Sequence, residues 1–418
     1  MQIIAELEKR GLIQDISDSE LDKSLKSGDY FYAGFDPTAS SLHLGNFVLI
    51  MTMLRLTEAG LKPIMLFGGA TGQVGDPGGR SEERPILPLD EITRNVEAQK
   101  NQAQSIFERL GYNIEFVDNA EWTTPISITA FFREVGKYIT VNYMLAKESV
   151  KNRLNGDGIS FAEFSYMLIQ ANDFLHLYNS KGCKMQIGGS DQWGNLTCGL
   201  ELIRKKIQGN AYAFSIPLLT NSSGKKFGKS VDGALWLDPT LTSPFKLHQF
   251  LLNTPDDDVI KMITQLTFAD DEKITELSNA LTNDPGARTA QKYLADELCT
   301  LIHGENATEN AKAAAKVLFG GSPVGLPANQ LLEIFADVPS AEVSKSSTVG
   351  KKYLELLVET GASKSKGEAR RLIQNGGAYL NNERVEDLEH LIEDKDFIDE
   401  QVMILRTGKK SYHLLKAN

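Results

Sequence analysis

The chain has 418 residues, enough for two or three domains, and its 41% hydrophobic and 24% charged content is that of an ordinary globular protein. A formal net charge of −11 excludes a surface that binds nucleic acid by bulk charge, so contact with RNA needs a local basic patch. Three scattered cysteines, Cys183, Cys198 and Cys299, show no CxxC or Cys/His spacing, which argues against a disulfide framework and a structural zinc site.

Residues 1–29 read as one helix and a polar turn at Ser27-Gly28-Asp29. Acids interleave its apolar residues, unlike a secretory signal or a transit peptide. No later run approaches membrane-spanning length, so a cytoplasmic protein without a membrane segment is expected. A strand over 30–35 breaks at Asp36-Pro37 and runs through YAGFDPTASSLHLGN (32–46) into an apolar helix from Phe47. A strand that ends in a polar, glycine-containing loop before a helix is a candidate phosphate site, because first-turn N–H groups lack intrahelical partners. Residues 62–67 form a second buried strand, closed by Gly68-Gly69, and complete a βαβ unit with parallel strands. The glycine-rich segment 69–84 ends in Arg80 and Arg84 but lacks the Gly-Lys-Ser/Thr ending of a P-loop; on its residues alone it reads as a turn at Asp76-Pro77-Gly78.

A helix over 89–110 precedes a strand over 113–117. Segment 125–143 is apolar enough for a helix with two covered faces, by core packing or by a subunit interface. The helix over 161–178 carries Tyr166, Gln170 and Asp173 at i, i+4 and i+7, one polar face amid Phe, Met, Ile and Leu, which points to a pocket. A strand over 184–189 stops at Gly-Gly, and Ser190-Asp191-Gln192 opens another helix. Two strand ends that meet helix N-termini predict an α/β fold with a Rossmann-like, doubly wound parallel sheet and its ligand across the carboxyl ends of the strands. Segment 221–230 (NSSGKKFGKS) is a basic, glycine-punctuated loop; helices fill 244–319, and 320–327 (GGSPVGLP) has linker composition. From 351 a small α+β unit follows. Lys364, Lys366, Arg370 and Arg371 cluster at one helix while its acids lie mainly between 383 and 400, so the bases can gather against an RNA backbone; a solvated charged helix accounts for them equally.

His43-Leu44-Gly45-Asn46 resembles the HIGH element of class I aminoacyl-tRNA synthetases, and Lys226-Phe227-Gly228-Lys229-Ser230 resembles their KMSKS loop. With GGATGQVGDP, NYMLAKESV, EFSYMLIQANDF and QIGGSDQWGN, the whole chain resembles the bacterial-type tyrosyl-tRNA synthetases, and its tail resembles the S4 RNA-binding domain. The resemblance implies a catalytic domain over 1–220, a KMSKS-like loop and connector over 221–242, a helical tRNA-binding domain over 243–320, a linker over 321–350 and an S4-like domain over 351–418. It implies that L-tyrosine attacks ATP, which enters with Mg2+, to give tyrosyl-adenylate and pyrophosphate, and that tyrosine then passes to tRNA(Tyr). Homodimers are implied as well, with no protein-held metal site. A carboxylate nucleophile needs no general base, so catalysis should rest on positioning and on cations near the phosphates.

By the same resemblance, His43 and Asn46 bind ATP around the transferring phosphates. Lys226, Lys229 and Ser230 close over pyrophosphate, with Arg80 and Arg84 nearby. Gly34, Asp36, Gly45 and Gly188 line the nucleotide site, and Asp191 takes its ribose. Tyr32 and Asp173 take the substrate hydroxyl, Tyr166, Gln170 and Asp76 its amino group, and Gln192 lies near its carboxylate. A tryptophanyl-type synthetase and a synthetase-derived RNA-binding protein without aminoacylation activity are the alternatives.

Overall fold

The computed structural model describes residues 2–78, 86–156, 158–222, 224, 227, 229–230, 233–318, 320–336, 338–408 and 411–418, with the backbone alone at Lys229, Ser230 and Gly233. Arg80, Arg84 and Lys226 lie outside the described residues. The chain divides into two compact units, 1–243 with 252–302, and 244–251 with 303–418.

The first unit holds a six-stranded sheet of β1 (Asp15–Ile16), β2 (Tyr30–Phe35), β3 (Lys62–Phe67), β4 (Glu115–Asp118), β5 (Met185–Gly189) and β6 (Tyr212–Ile216), in the order β1-β6-β5-β2-β3-β4. All pairs are parallel except β1 on β6. The chain runs outward from β2 through β3 to β4, then returns to β5 on the other side of β2, so the strand order reverses between β2 and β5. That switch point opens a crevice at the carboxyl ends of the strands, where the 32–46 loop and the Gly188-Gly189 turn lie.

The helix Leu44–Glu58 is buried from Phe47 through Leu56, as an apolar run without a polar face requires. At 125–143, where one helix was expected, the chain forms Ile128–Glu134, a 3-10 turn at Gly136–Tyr138 and Val141–Leu145. The Ser127 and Thr140 hydroxyls each accept a backbone N–H and so start separate helices. Residues 1–29 are likewise split, into helices Ile3–Lys9 and Leu21–Ser24 around β1.

The helices Asp256–Leu266 and Asp271–Asn283 belong to the first unit and are not a separate helical body. Arg10 reaches from the N-terminal segment to the carbonyls of Thr264 (3.3 Å) and Ala269 (2.9 Å), and Arg55 of the helix Leu44–Glu58 donates to Thr267 O. The end of the basic loop, β7 (Lys229–Ser230), pairs with β8 (Gly233–Ala234) in a short antiparallel ladder.

The second unit is built on a sheet of β9 (Ser340–Val343), β10 (Ala378–Leu380), β11 (Glu383–Arg384), β12 (Val402–Thr407) and β13 (Ser411–Ala417), ordered β11-β10-β12-β13-β9. Helices Tyr353–Glu359 and Lys366–Gln374 bury Leu357, Ala369 and Ile373 against Leu405 and Leu415. The expected linker over 321–350 is corrected here. It contains the helix Ala328–Ile334, and β9 pairs in parallel with β13, so those residues complete the sheet. Proline and glycine at 320–327 mark only the turn into it.

Candidate active site

A cavity of about 580 Å³ opens at the switch point, and Tyr32, Gly34, Asp36, His43, Gly45, Asn46, Asp76, Tyr166, Gln170, Asp173, Gly188, Asp191 and Gln192 all line it. Every described residue of the first unit that the sequence points to for tyrosine or ATP is thus at one site, apart from Lys229 and Ser230, known here by backbone alone. Lys364, Lys366, Arg370 and Arg371 are exposed in the second unit.

The deep end of the cavity is set by β2 and the helix Phe161–Lys181. A reciprocal Ser160–Glu163 capping box starts that helix, and Arg153 grips Glu163 through two bonds of 2.6 and 2.9 Å, with both side chains buried. Asp173, three turns further along the chain from Glu163, accepts from Asn119 Nδ2 (2.9 Å) and Trp122 Nε1 (2.8 Å). Trp122 is itself stacked on His176 at 4.3 Å. The Tyr32 hydroxyl is buried and has no hydrogen-bond partner among the described residues; the same holds for Gln170 Oε1 and Gln186 Oε1. Buried polar atoms are seldom left unpaired, so three around one cavity mark places for ligand groups. Burial raises the Tyr32 phenol well above its ordinary range, with the Asp173 charge adding to it, so Tyr32 stays a neutral donor.

Burial also pushes the Asp173 carboxyl up to about 7, against the lowering effect of Asn119 and Trp122. Because the folded value lies above the usual carboxylate value of 3.8, this group's contribution to stability is full at acid pH and is lost as pH rises toward about 7. A phenol that donates to Asp173 needs its ionised form, so a bound phenol competes with the proton. Tyrosine affinity is expected to be roughly tenfold weaker at pH 6 than on the plateau near pH 8. Equilibrium dialysis across this range checks it, and a flat profile would mean Asp173 does not receive the ligand's proton donor.

Asp76 is 3% exposed and accepts from Gly78 N (3.0 Å), from Asn195 Nδ2 (3.3 Å) and from Gln192 Nε2. Asn195 also donates to Gln192 Oε1 at 3.0 Å, which fixes the Gln192 carboxamide. Tyr166 donates to Asp36 Oδ2 (2.8 Å), and Thr71 donates to Asp36 Oδ1 (2.8 Å). Asn119, Trp122, Gln186 and Asn195 also belong to this site, and their residue types and spacing do not mark them for it. Asn119 directly follows β4, so the rule that ligands gather at strand carboxyl ends was the one signal that pointed to it.

The shallow rim is the His43 loop. His43 is the N-cap of Leu44–Glu58: its Nδ1 accepts Asn46 N–H at 3.1 Å, while Asn46 Oδ1 accepts His43 N–H at 3.0 Å. With Nδ1 used as an acceptor, the neutral ring carries its proton on Nε2, and Asn46 keeps its NH2 group to donate. A Cβ at Gly45 would lie 3.0 Å from the His43 ring, so only glycine leaves that ring its place. The segment after β8 pairs with this loop through Leu44 N to Leu235 O and Leu237 N to Leu42 O, both 2.8 Å. Phe227, Ala234 and Trp236 line the cavity, so residues on both sides of Lys229 and Ser230 reach its wall.

Among the described residues, no group of three or more His, Cys, Asp or Glu is placed to hold a metal ion, and no helix is long and apolar enough to cross a membrane. The three cysteines are buried free thiols.

The profile of the family described as tRNA synthetases class I (W and Y) matches residues 29–320, and that of the tyrosine-tRNA ligase SYY-like C-terminal domain matches 330–415. The second match, like β9, begins inside the segment expected to be a linker. The chain is 44% identical to the tyrosine-tRNA ligase of Opitutus terrae over 423 residues, covering 100% of both chains, and 44% identical to that of Staphylococcus carnosus over 99% of both. Among solved structures it is similar to a C-terminally truncated mitochondrial tyrosyl-tRNA synthetase of Aspergillus nidulans, with a TM-score of 0.68, 32% identity, and coverage of 76% of this chain and 94% of that one. With a matching profile over most of its length and full-length relatives of one name, the chain belongs to the class I tRNA synthetases of the W and Y type, in their tyrosine-tRNA ligase branch.

Proposed function

We propose that the cavity activates L-tyrosine with ATP and that the chain then transfers tyrosine to the 3'-terminal adenosine of tRNA(Tyr). The observation that carries this reading is the buried Tyr32 hydroxyl, without a hydrogen-bond partner among the described residues, in the same cavity as the Asp173 carboxylate. A phenol is the ligand group that satisfies both, donating to Asp173 and accepting from Tyr32. Asp76, Tyr166 and Gln170 then face the substrate ammonium, and Gln192 its carboxylate.

The nucleotide, entering with Mg2+, lies along His43, Gly45 and Asn46, with Gly34 and Asp36 beside it and its ribose at Gly188 and Asp191. Lys226, Lys229 and Ser230, with Arg80 and Arg84, supply charge toward the leaving pyrophosphate. No group needs to remove a proton from the attacking carboxylate, so the chain's part is alignment and charge stabilisation.

Residues 1–220 form the catalytic part in this division of labour, 221–242 the loop and connector, and the helices from 243 a tRNA-binding part. The C-terminal unit contacts RNA through Lys364, Lys366, Arg370 and Arg371. A homodimer is supported by the apolar side chains left exposed on the broken 125–143 segment, Ile128, Phe132 and Val141, and by Leu145 just after it. We place the chain in the cytoplasm.

Tyrosine-dependent exchange of pyrophosphate into ATP tests the reading. Exchange is expected with tyrosine, only slowly with phenylalanine and not with tryptophan; exchange driven by tryptophan, or none, would overturn it.

A further inference from the structure

Within the second unit, the hairpin between β10 and β11 turns on two consecutive asparagines, Asn381 (φ +49°) and Asn382 (φ +64°), both in the left-handed region. Asn381 ties the turn to β12 and to a neighbouring 3-10 turn: its Oδ1 accepts Ile404 N–H (2.9 Å) and its Nδ2 donates to Asp396 O (2.7 Å). Asn382 points elsewhere. Its Nδ2 donates to Val317 O (2.9 Å) and Gly321 O (2.8 Å), so both hydrogens are spent on the end of the helix Glu305–Val317.

Further contacts surround this junction, one of them again from the sheet to the helix end. The Tyr412 hydroxyl of β13 donates to Leu318 O (3.1 Å), and Tyr412 packs on Phe335 at 5.1 Å. Gln330 donates to Asn310 O (3.2 Å), bridging the helices Ala328–Ile334 and Glu305–Val317. Backbone bonds Gly320 N to Val317 O and Gly321 N to Lys316 O close the helix end itself. The last carbonyls of a helix lack intrahelical donors, and here side chains from the sheet supply them.

The basic helix Lys366–Gln374 lies close by along the chain. Gly377 N–H returns to Leu372 O, β10 follows directly, and β10 ends at the asparagine turn. A short stiff path therefore connects the exposed Lys364, Arg370 and Arg371 to the end of Glu305–Val317.

We propose that Asn382 is a latch that fuses the helix Glu305–Val317 to the C-terminal sheet, making it a positioning residue that holds the basic helix in fixed orientation to that helix when RNA binds. The RNA part of this inference rests on the function proposed above; the latch itself does not. An RNA-binding element that is already fixed loses less conformational freedom on binding than one on a loose tether, so the latch lowers the RNA concentration needed for charging.

The test uses the full chain with Asn382→Gly and Asn382→Asp. Glycine keeps the left-handed backbone and deletes both side-chain bonds. Aspartate also tolerates that backbone, but it presents a carboxylate to two carbonyl oxygens. Hydrogen–deuterium exchange over 314–321 is expected to quicken by about tenfold in the glycine variant and by more in the aspartate variant. Both variants should raise the KM for tRNA several-fold while kcat for charging and tyrosine-dependent pyrophosphate exchange stay unchanged. Exchange at the wild-type rate in both variants, or aspartate as protected as wild type, overturns the latch. Faster exchange with an unmoved KM overturns its part in RNA positioning. If the wild-type chain charges no tRNA, the functional reading fails, while the deuterium comparison still decides the latch.

Discussion

Asp173→Ala is expected to lower kcat/KM for tyrosine by about a hundredfold or more while leaving slow activation of phenylalanine almost unchanged. The asymmetry follows from the partners of Asp173. In the native site Asn119 and Trp122 each donate to one oxygen of its carboxylate, and Asp173 lines the cavity with acceptor capacity left on both oxygens. Alanine removes a charge-assisted acceptor for the phenol and leaves the indole N–H without its partner, each of which weighs ~1–3 kcal/mol. Phenylalanine never used that acceptor. Tyr32→Phe is the matched control. Its hydroxyl is buried without a partner among the described residues, so the variant should melt no lower than wild type, yet lose about tenfold in kcat/KM for tyrosine. Single-turnover adenylate formation with both amino acids, beside thermal melts, reads all four quantities. If both variants keep wild-type discrimination, the phenol does not bind at this end.

How far the sequence announced this site depends on the range of the interactions. β2, β3 and β5 are short apolar runs closed by glycine or an Asp-Pro break, and they stand where those signals put them. The polar face of Tyr166, Gln170 and Asp173 was legible because helical periodicity is local. β1 was hidden because it has two residues and exists only through its pairing with Ser215 and Phe214. The break at 134–141 was hidden by apolar density: Val135 and Ile139 are buried, while Ile128 and Val141 are exposed, so neighbouring apolar residues serve different faces. Trp122 carried no local mark and Asn119 only its place after β4, since their partner Asp173 is 51 and 54 residues away. The C-terminal boundary failed for a related reason. β9 is an edge strand of four residues whose identity as a strand comes from β13, some seventy positions later.

The His43 loop joins both kinds of signal, and there a fold role and a chemical role share one ring. His43→Ala and His43→Asn are expected to separate them. Asparagine is among the best N-cap residues, so His43→Asn should keep the Asn46 N–H capped and hold stability within about 0.5 kcal/mol of wild type; His43→Ala should lose ~1 kcal/mol. Neither variant can place a donor where the imidazole Nε2–H stands, beside the cavity wall formed by Trp236. Both should therefore slow adenylate formation by ~10²-fold, the usual cost of losing one donor aimed at developing charge. Tyrosine affinity should not change in either, because the phenol end of the cavity is built by β2 and the helix Phe161–Lys181. Denaturant melts, equilibrium dialysis and single-turnover rates measure the three effects separately. A wild-type rate in His43→Asn would reduce His43 to a helix cap and move the phosphate chemistry to other residues of the rim. A rate loss shared equally by both variants, with stability lost only in alanine, assigns Nδ1 to the fold and Nε2 to the reaction.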